Sequence, residues 1–347
     1  MSELLRIGDS EVMPGQRLII DLPIAQLYTH TPMTMPVQVV RGRKPGPRLF
    51  VCAAIHGDEI NGVEIIRRLL NLPLLKRLRG DLIGVPIVNI PGFLHRSRYL
   101  PDRRDLNRSF PGSDKGSLAG RMAHLFLQEI VAQCSHGIDL HTAAIDRANL
   151  PQVRVDLSDE VAADMAQAFQ IPVILNSPLR EGSVRQSSAR LGIPMIVYEC
   201  GEALRFDERA IRTGLRGVVR VMRHLKMLPP SRGKGSGYVP VVADSSGWVR
   251  AAQSGILRAT APLGATVARH DSLGFISDPF GESEFQVLAP YRGVVIGRTT
   301  LPLVYQGEAL FHIARVGRDD LELLEDVMQE EDPLPAVSYL PDEPVIV

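Results

Sequence analysis

Between residues 49 and 228 apolar runs of strand length alternate with stretches of helical periodicity, and this constrains the fold more than any other feature of the chain. The first run, Leu49 to Ile55, reads as a buried strand. It leads into 59–70, where Ile60, Val63, Ile66 and Leu70 recur at helical spacing. Further strands are expected at 82–90, 137–141, 172–175 and 194–200, and helices at 117–133, 159–169 and 207–227. In the first of these later helices Leu118, Met122, Leu125, Phe126 and Ile130 share a face. The alternation predicts an α/β domain with a mostly parallel sheet covered by helices. Two polar stretches, 92–116 and 177–192, read as loops, and a loop as long as the first is usually functional or disordered.

The flanks are different in kind. Residues 1–45 hold short β runs at 17–21 and 36–40, and the Gly- and Pro-rich stretch 41–47 reads as a turn. The expected organisation is an N-terminal β segment (1–45) packing on a catalytic domain (46–228), a linker (229–237), a small β-barrel or sandwich domain (238–317) and an acidic, Pro-rich tail (318–347) with a short helix at 319–329. Lys and Arg together number 39, as do Asp and Glu, so nothing draws the whole chain to nucleic acid or an anionic membrane. No apolar stretch approaches the ~20 residues that span a bilayer, and the first residues lack the pattern of a secretory signal. Cys52, Cys134 and Cys200 form no disulfide framework and suit a reducing compartment. A cytoplasmic protein is expected, and a homo-oligomer is compatible with the sequence.

The chemistry starts at His56-Gly-Asp-Glu59, in the turn where the first strand feeds the first helix. An imidazole and a carboxylate three residues apart on such a turn can converge on one metal ion, and catalytic zinc takes three protein ligands while leaving a position open. His141, at the end of the 137–141 strand, is the natural third, because the carboxyl ends of parallel strands gather at one edge. Asp139 points to the same side of that strand and can orient a ligand. Asp58, at the helix start, is expected to cap its first turn. The remaining histidines, at 30, 95, 124, 136, 224, 270 and 312, receive ordinary structural roles. Glu199 lies in an otherwise apolar strand, where an unpaired charge is expensive. It either pairs with an arginine or faces a polar cleft, where a carboxylate beside an activated water serves as general base. Gly201 lets the backbone turn after it. The loop from Arg98 to Gly112 offers four arginines, of which Arg108 beside Asn107 suits a substrate carboxylate and another an oxyanion.

HGDE at 56–59, DLNRSFPG at 105–112, DLHT at 139–142 and ECG at 199–201, in that order, resemble the succinylglutamate desuccinylase/aspartoacylase family, a zinc-carboxypeptidase-like group. The resemblance spans roughly 45–228. It implies a mixed central sheet flanked by helices and followed by a smaller β domain. It implies one Zn2+ on His56, Glu59 and His141, Glu199 as general base, and Asn107 and Arg108 as binders of a substrate carboxylate. The family's oxyanion arginine precedes a tyrosine, which matches Arg98-Tyr99, although the longer spacing here leaves Arg103 and Arg104 open. The segment 238–317 is also distantly similar to biotinyl/lipoyl modules through APLGATV and APYRGVV. Those modules are modified on lysine, and no lysine follows Lys234, so a structural or substrate-gating role is expected instead. The expected activity is hydrolysis of a small N-acyl amino acid. A metallocarboxypeptidase acting on peptides and a non-catalytic binding protein are the alternatives.

Overall fold

In the computed structural model, residues 4–231 and 240–317 are described. Most of the linker and the whole acidic tail, with its expected short helix, lie outside them. The core is a mixed thirteen-stranded sheet among the described residues. Its centre is parallel: Arg79–Val85, Lys44–Ala53, His136–His141 and Met195–Gly201 lie side by side and run the same way. On one flank Pro32–Arg41 and then Arg17–Gln26 add antiparallel strands. On the other flank Arg147–Val155 pairs antiparallel with Met195–Gly201. Gly293–Thr299, Ala309–Arg315 and Ser245–Arg250 continue outward from there. The C-terminal strands therefore hydrogen-bond directly into the central sheet. A second sheet of Glu284–Leu288, Ser272–Ser277, Gly255–Ala259 and Leu303–Val304 packs on them, with Leu257, Leu273 and Ile276 against Phe311 and Ile313.

Helices cover both faces. Asn61–Leu70, Glu160–Phe169 and Glu208–His224 pack on one, and Leu118–Glu129 with the N-terminal strands on the other. The first helix buries Ile65, Ile66, Leu69 and Leu70, while Ile60 and Val63 are only half-buried, so the apolar stripe is rotated from the expected one. Ser117, Asp159, Ser183 and Asp207 accept a backbone N–H at the start of their helices. Glu208–His224 comes close enough to its neighbours to need small residues. A Cβ on Gly217 would lie 2.0 Å from the Phe169 ring, which itself stacks on Tyr198 at 5.2 Å.

Four local expectations need correction. The strand expected from Leu49 already begins at Lys44, because Pro45, Gly46 and Pro47 are absorbed in a register shift between Lys44 and Arg48. The strand expected to reach residue 90 ends at Val85, ahead of Pro86, and Asn89 caps a short helix, Ile90–Leu94. The 177–192 stretch contains the helix Val184–Arg190, too polar and short to show an apolar stripe. Arg147–Val155 was not expected at all, since Asn149 and Gln152 carry amides where a strand core is normally apolar.

Ala is ordinarily better than Gly in a helix by about 1 kcal/mol. At position 217 the collision with a fully buried ring reverses the sign. Gly217→Ala is expected to lower the unfolding free energy by about 1–3 kcal/mol, the usual cost of overpacking, in urea titrations.

Candidate metal and substrate site

Three parallel strands end together, and the site lies on their carboxyl side. After Ala53 the backbone turns sharply, with Ala54 at φ +50°. Gly57 sits so close to the Ile90–Leu94 helix that a Cβ would fall 2.0 Å from a Gly92 backbone carbon. The turn delivers His56 and Glu59 inward, both buried. His141 arrives from the last position of its strand, and parallel pairing sets Glu199 beside it in register.

Glu59 is the centre of the constellation. Its Oε1 is 2.7 Å from His56 Nδ1, and its Oε2 is 2.7 Å from His141 Nδ1 and accepts the Thr142 N–H at 3.0 Å. The other nitrogen of each ring meets a further carboxylate: His141 Nε2 lies 2.7 Å from Asp139, and His56 Nε2 lies 3.2 Å from Asp105. Burial by itself would lower both imidazole pKa values. For His141 the charges of Asp139 and Glu59 overcome it, and for His56 those of Glu59 and Asp105, so both are raised. Burial would likewise raise the Glu59 pKa, but the two imidazoles pull it well below the carboxylate range.

This donor set fits a cation. Neutral rings that donate Nε2–H to Asp139 and Asp105 turn their Nδ1 lone pairs toward the carboxylate of Glu59, an arrangement that a positive charge between them relieves. One potential ligand atom from each of His56, Glu59 and His141 lies within 4.8 Å of the others, so the cluster could hold a metal ion. Asp139 has the orienting position expected of it. Asp105 was not foreseen, although it stands in the DLNR motif. It also caps the turn at Leu106–Arg108.

The remaining candidates meet on one cavity of about 890 Å³. Glu199 accepts from Asn149 Nδ2 at 2.9 Å and lies 3.5 Å from Arg154 Nη1, so it both pairs with an arginine and faces the cavity. Gly201 does take the turn, at φ +80°. Arg98 places Nε and Nη2 on Asp105 at 3.2 and 3.0 Å and Nη1 3.4 Å from Glu59. Arg103 and Arg104 are exposed and do not line the cavity. Asn107 accepts the Val184 N–H at 3.0 Å, tying the loop to the short helix, while Arg108 is exposed and hydrogen-bonds the Asn107 carbonyl. Asp58 does not cap the helix: the N-cap is Ile60 with no side-chain bond, and Asp58 Oδ1 is buried without a partner among the described residues.

One wall comes from the C-terminal strands. Trp248 and His312 stack at 4.6 Å with nearly parallel rings, and the Arg147 guanidinium lies 5.1 Å from the Trp248 ring. His312 Nε2 is 2.8 Å from Ser246 Oγ. Burial, with the Arg154 and Arg180 charges, pushes the His312 pKa down to about 3. Nothing in the local sequence marks these residues, because only strand pairing carries them to the site. An unfolded histidine binds its proton below about 6.5, whereas the folded ring stays neutral until about 3. His312 therefore costs stability as pH falls through that window. In His312→Gln this loss is absent, and the stability of the variant relative to the parent is expected to rise by about 2 kcal/mol between pH 7 and pH 5, read from urea midpoints.

Among the described residues no helix is long and apolar enough to cross a membrane. The model of the succinylglutamate desuccinylase/aspartoacylase catalytic domain matches residues 45–225. The N-alpha-acetyl-L-2,4-diaminobutyric acid deacetylase of Halomonas elongata is 25% identical over 326 residues, covering 89% of this chain and 94% of that protein. Two solved structures share the fold. A succinylglutamate desuccinylase/aspartoacylase from Rhodobacter sphaeroides superposes with a TM-score of 0.77 at 23% identity, over 87% of this chain and 96% of that one. The product-bound ectoine utilization protein EutE (DoeB) from Ruegeria pomeroyi gives 0.78 at 22% identity, over 88% and 98%. With the family model matching more than half of its length, the chain belongs to the succinylglutamate desuccinylase/aspartoacylase family.

Proposed function

We propose that this protein is a zinc-dependent deacylase that hydrolyses the amide bond of a small N-acylated amino acid. The observation that carries the reading is the convergence of His56, Glu59 and His141 on one point, with Glu199 on the same cavity. Those three residues would hold the metal, and zinc, when bound, supplies a Lewis acid and lowers the pKa of water toward ~7. Glu199 is held by Asn149 and Arg154 yet open to the cavity. It takes a proton from the attacking water and returns it to the departing amine nitrogen as the C–N bond breaks, leaving a carboxylate and an amine. Arg98 is fixed by Asp105 through Nε and Nη2, and its Nη1, which here reaches His56 and Glu59, is the group placed to turn to the oxyanion. Asn107 and Arg108, at the rim, take a carboxylate of the substrate. The deacetylase named for the Halomonas relative supports this chemistry. Residues 244–248, Glu308 and His312 contribute to the cavity wall, which favours a small substrate over a polypeptide chain.

Atomic spectroscopy on purified protein is expected to find about one zinc per chain, lost in His141→Ala. Glu199→Gln should keep the metal and lower kcat by roughly 10²–10⁴-fold, the range of general acid–base contributions. Near-normal turnover in that variant would remove Glu199 from the mechanism. Arg108→Ala should raise KM about tenfold or more with a smaller change in kcat, as expected for an ion pair to the substrate. Assays across acetyl-, succinyl- and other N-acyl amino acids and short peptides test the substrate class.

A further inference from the structure

A concavity of about 1520 Å³ lies away from the catalytic edge. It lies at the opposite end of the sheet, where Lys44–Ala53 and Arg79–Val85 begin. Its lining contains no carboxylate. Arg43, Lys44, Lys76, Arg77, Arg79 and Lys226 are all exposed along it, and none forms an ion pair among the described residues. Arg223 also lines it, with a buried Nε that lacks a partner among the described residues. Lys226 complements the end of Glu208–His224, but a helix terminus carries only about half a charge, so it balances one of these cations at most. Lys44 and Arg79 stand at strand starts, where no such dipole exists.

The compensating charge lies elsewhere in the chain. Positions 319–343 contain ten acidic residues, and Arg318 is the only basic residue after position 317. Residues 1–317 accordingly hold 38 basic against 29 acidic residues. The sheet also shows where this segment leaves the described structure. Gly293–Thr299 runs in the direction of Lys44–Ala53, and Ala309–Arg315 runs against it, so the chain leaves Arg315 heading toward the groove end, from a point that the register sets level with Cys52. Five strand spacings, about 24 Å, separate the two laterally, and the stretch from Cys52 back to Lys44 adds about 26 Å along the strand. An extended chain covers that diagonal of about 35 Å in about eleven residues, so the Glu330-Glu331-Asp332 cluster is within reach.

We propose that the acidic segment docks through Glu330, Glu331 and Asp332 in this basic groove of its own chain, an interaction surface separate from the catalytic cavity. Its recognition is charge pairing with lysine and arginine, so it weakens as salt shortens the screening length from about 8 Å to 3 Å.

The chain has only five lysines, of which Lys44, Lys76 and Lys226 line the groove, while Lys115 is exposed elsewhere. Zero-length carbodiimide cross-linking of the full-length protein, mapped by mass spectrometry, therefore reads the docking directly. Cross-links from Glu330–Asp332 are expected on Lys44, Lys76 and Lys226, at least tenfold above those on Lys115, and largely lost in 1 M salt. Arg43→Glu with Arg77→Glu leaves the reporter lysines in place and should reduce the yield at least fivefold. Glu330→Gln with Glu331→Gln and Asp332→Asn should do the same without touching the groove. Equal yield at Lys115, insensitivity to both sets of substitutions, or cross-links found only between isotopically distinct copies would overturn the proposal.

Discussion

A carboxylate removed from water has to be answered by positive charge or hydrogen bonds, and Glu59 imposes that demand on the centre of this fold. Two imidazoles, a backbone N–H and the edge of Arg98 converge on it. The imidazoles are braced in turn by Asp139 and Asp105. Each participant comes from a different local structure: the turn after one strand, the end of the next, and a loop with a single 3-10 turn. The set is rigid because its supports are backbone features, such as the close approach of Gly57 to Gly92 and the parallel register between His136–His141 and Met195–Gly201. A site that must hold donor atoms to within fractions of an ångström needs this kind of support.

The continuity of the sheet through Arg147–Val155 into the C-terminal strands has a second consequence. It makes the C-terminal segment part of the cavity: Trp248 and His312 stand across from Glu199 because hydrogen-bonded strands carry them there. Two regions of the same sheet thus differ along its length. The parallel centre places His56, Glu59, His141 and Glu199, and the antiparallel flank shapes the cavity beside them.

Much of the fold was legible from residue order. Strand–helix alternation specified the parallel centre because each amphipathic element can be buried only in one way. The four motifs singled out His56, Glu59, His141, Glu199, Asn107 and Arg108, and all six line one cavity. The departures are equally physical. Arg147–Val155 carries no legible strand pattern because its inward amide nitrogens donate to Glu199 and to the Ile296 carbonyl, partners 50 and 144 residues away. Asp58 looked like a cap by position, yet the helix begins two residues later than its spacing requires.

By itself the sequence determined which groups are available and which end of the strands they occupy, since periodicity and turn chemistry are local properties. Only the tertiary structure decided their partners. It gave Asp105 to His56 and Arg98, Asn149 and Arg154 to Glu199, and Trp248 and His312 to the cavity wall. The reason is that strand neighbours in a mixed sheet are set by long-range pairing, which leaves no periodic trace in the residues it joins.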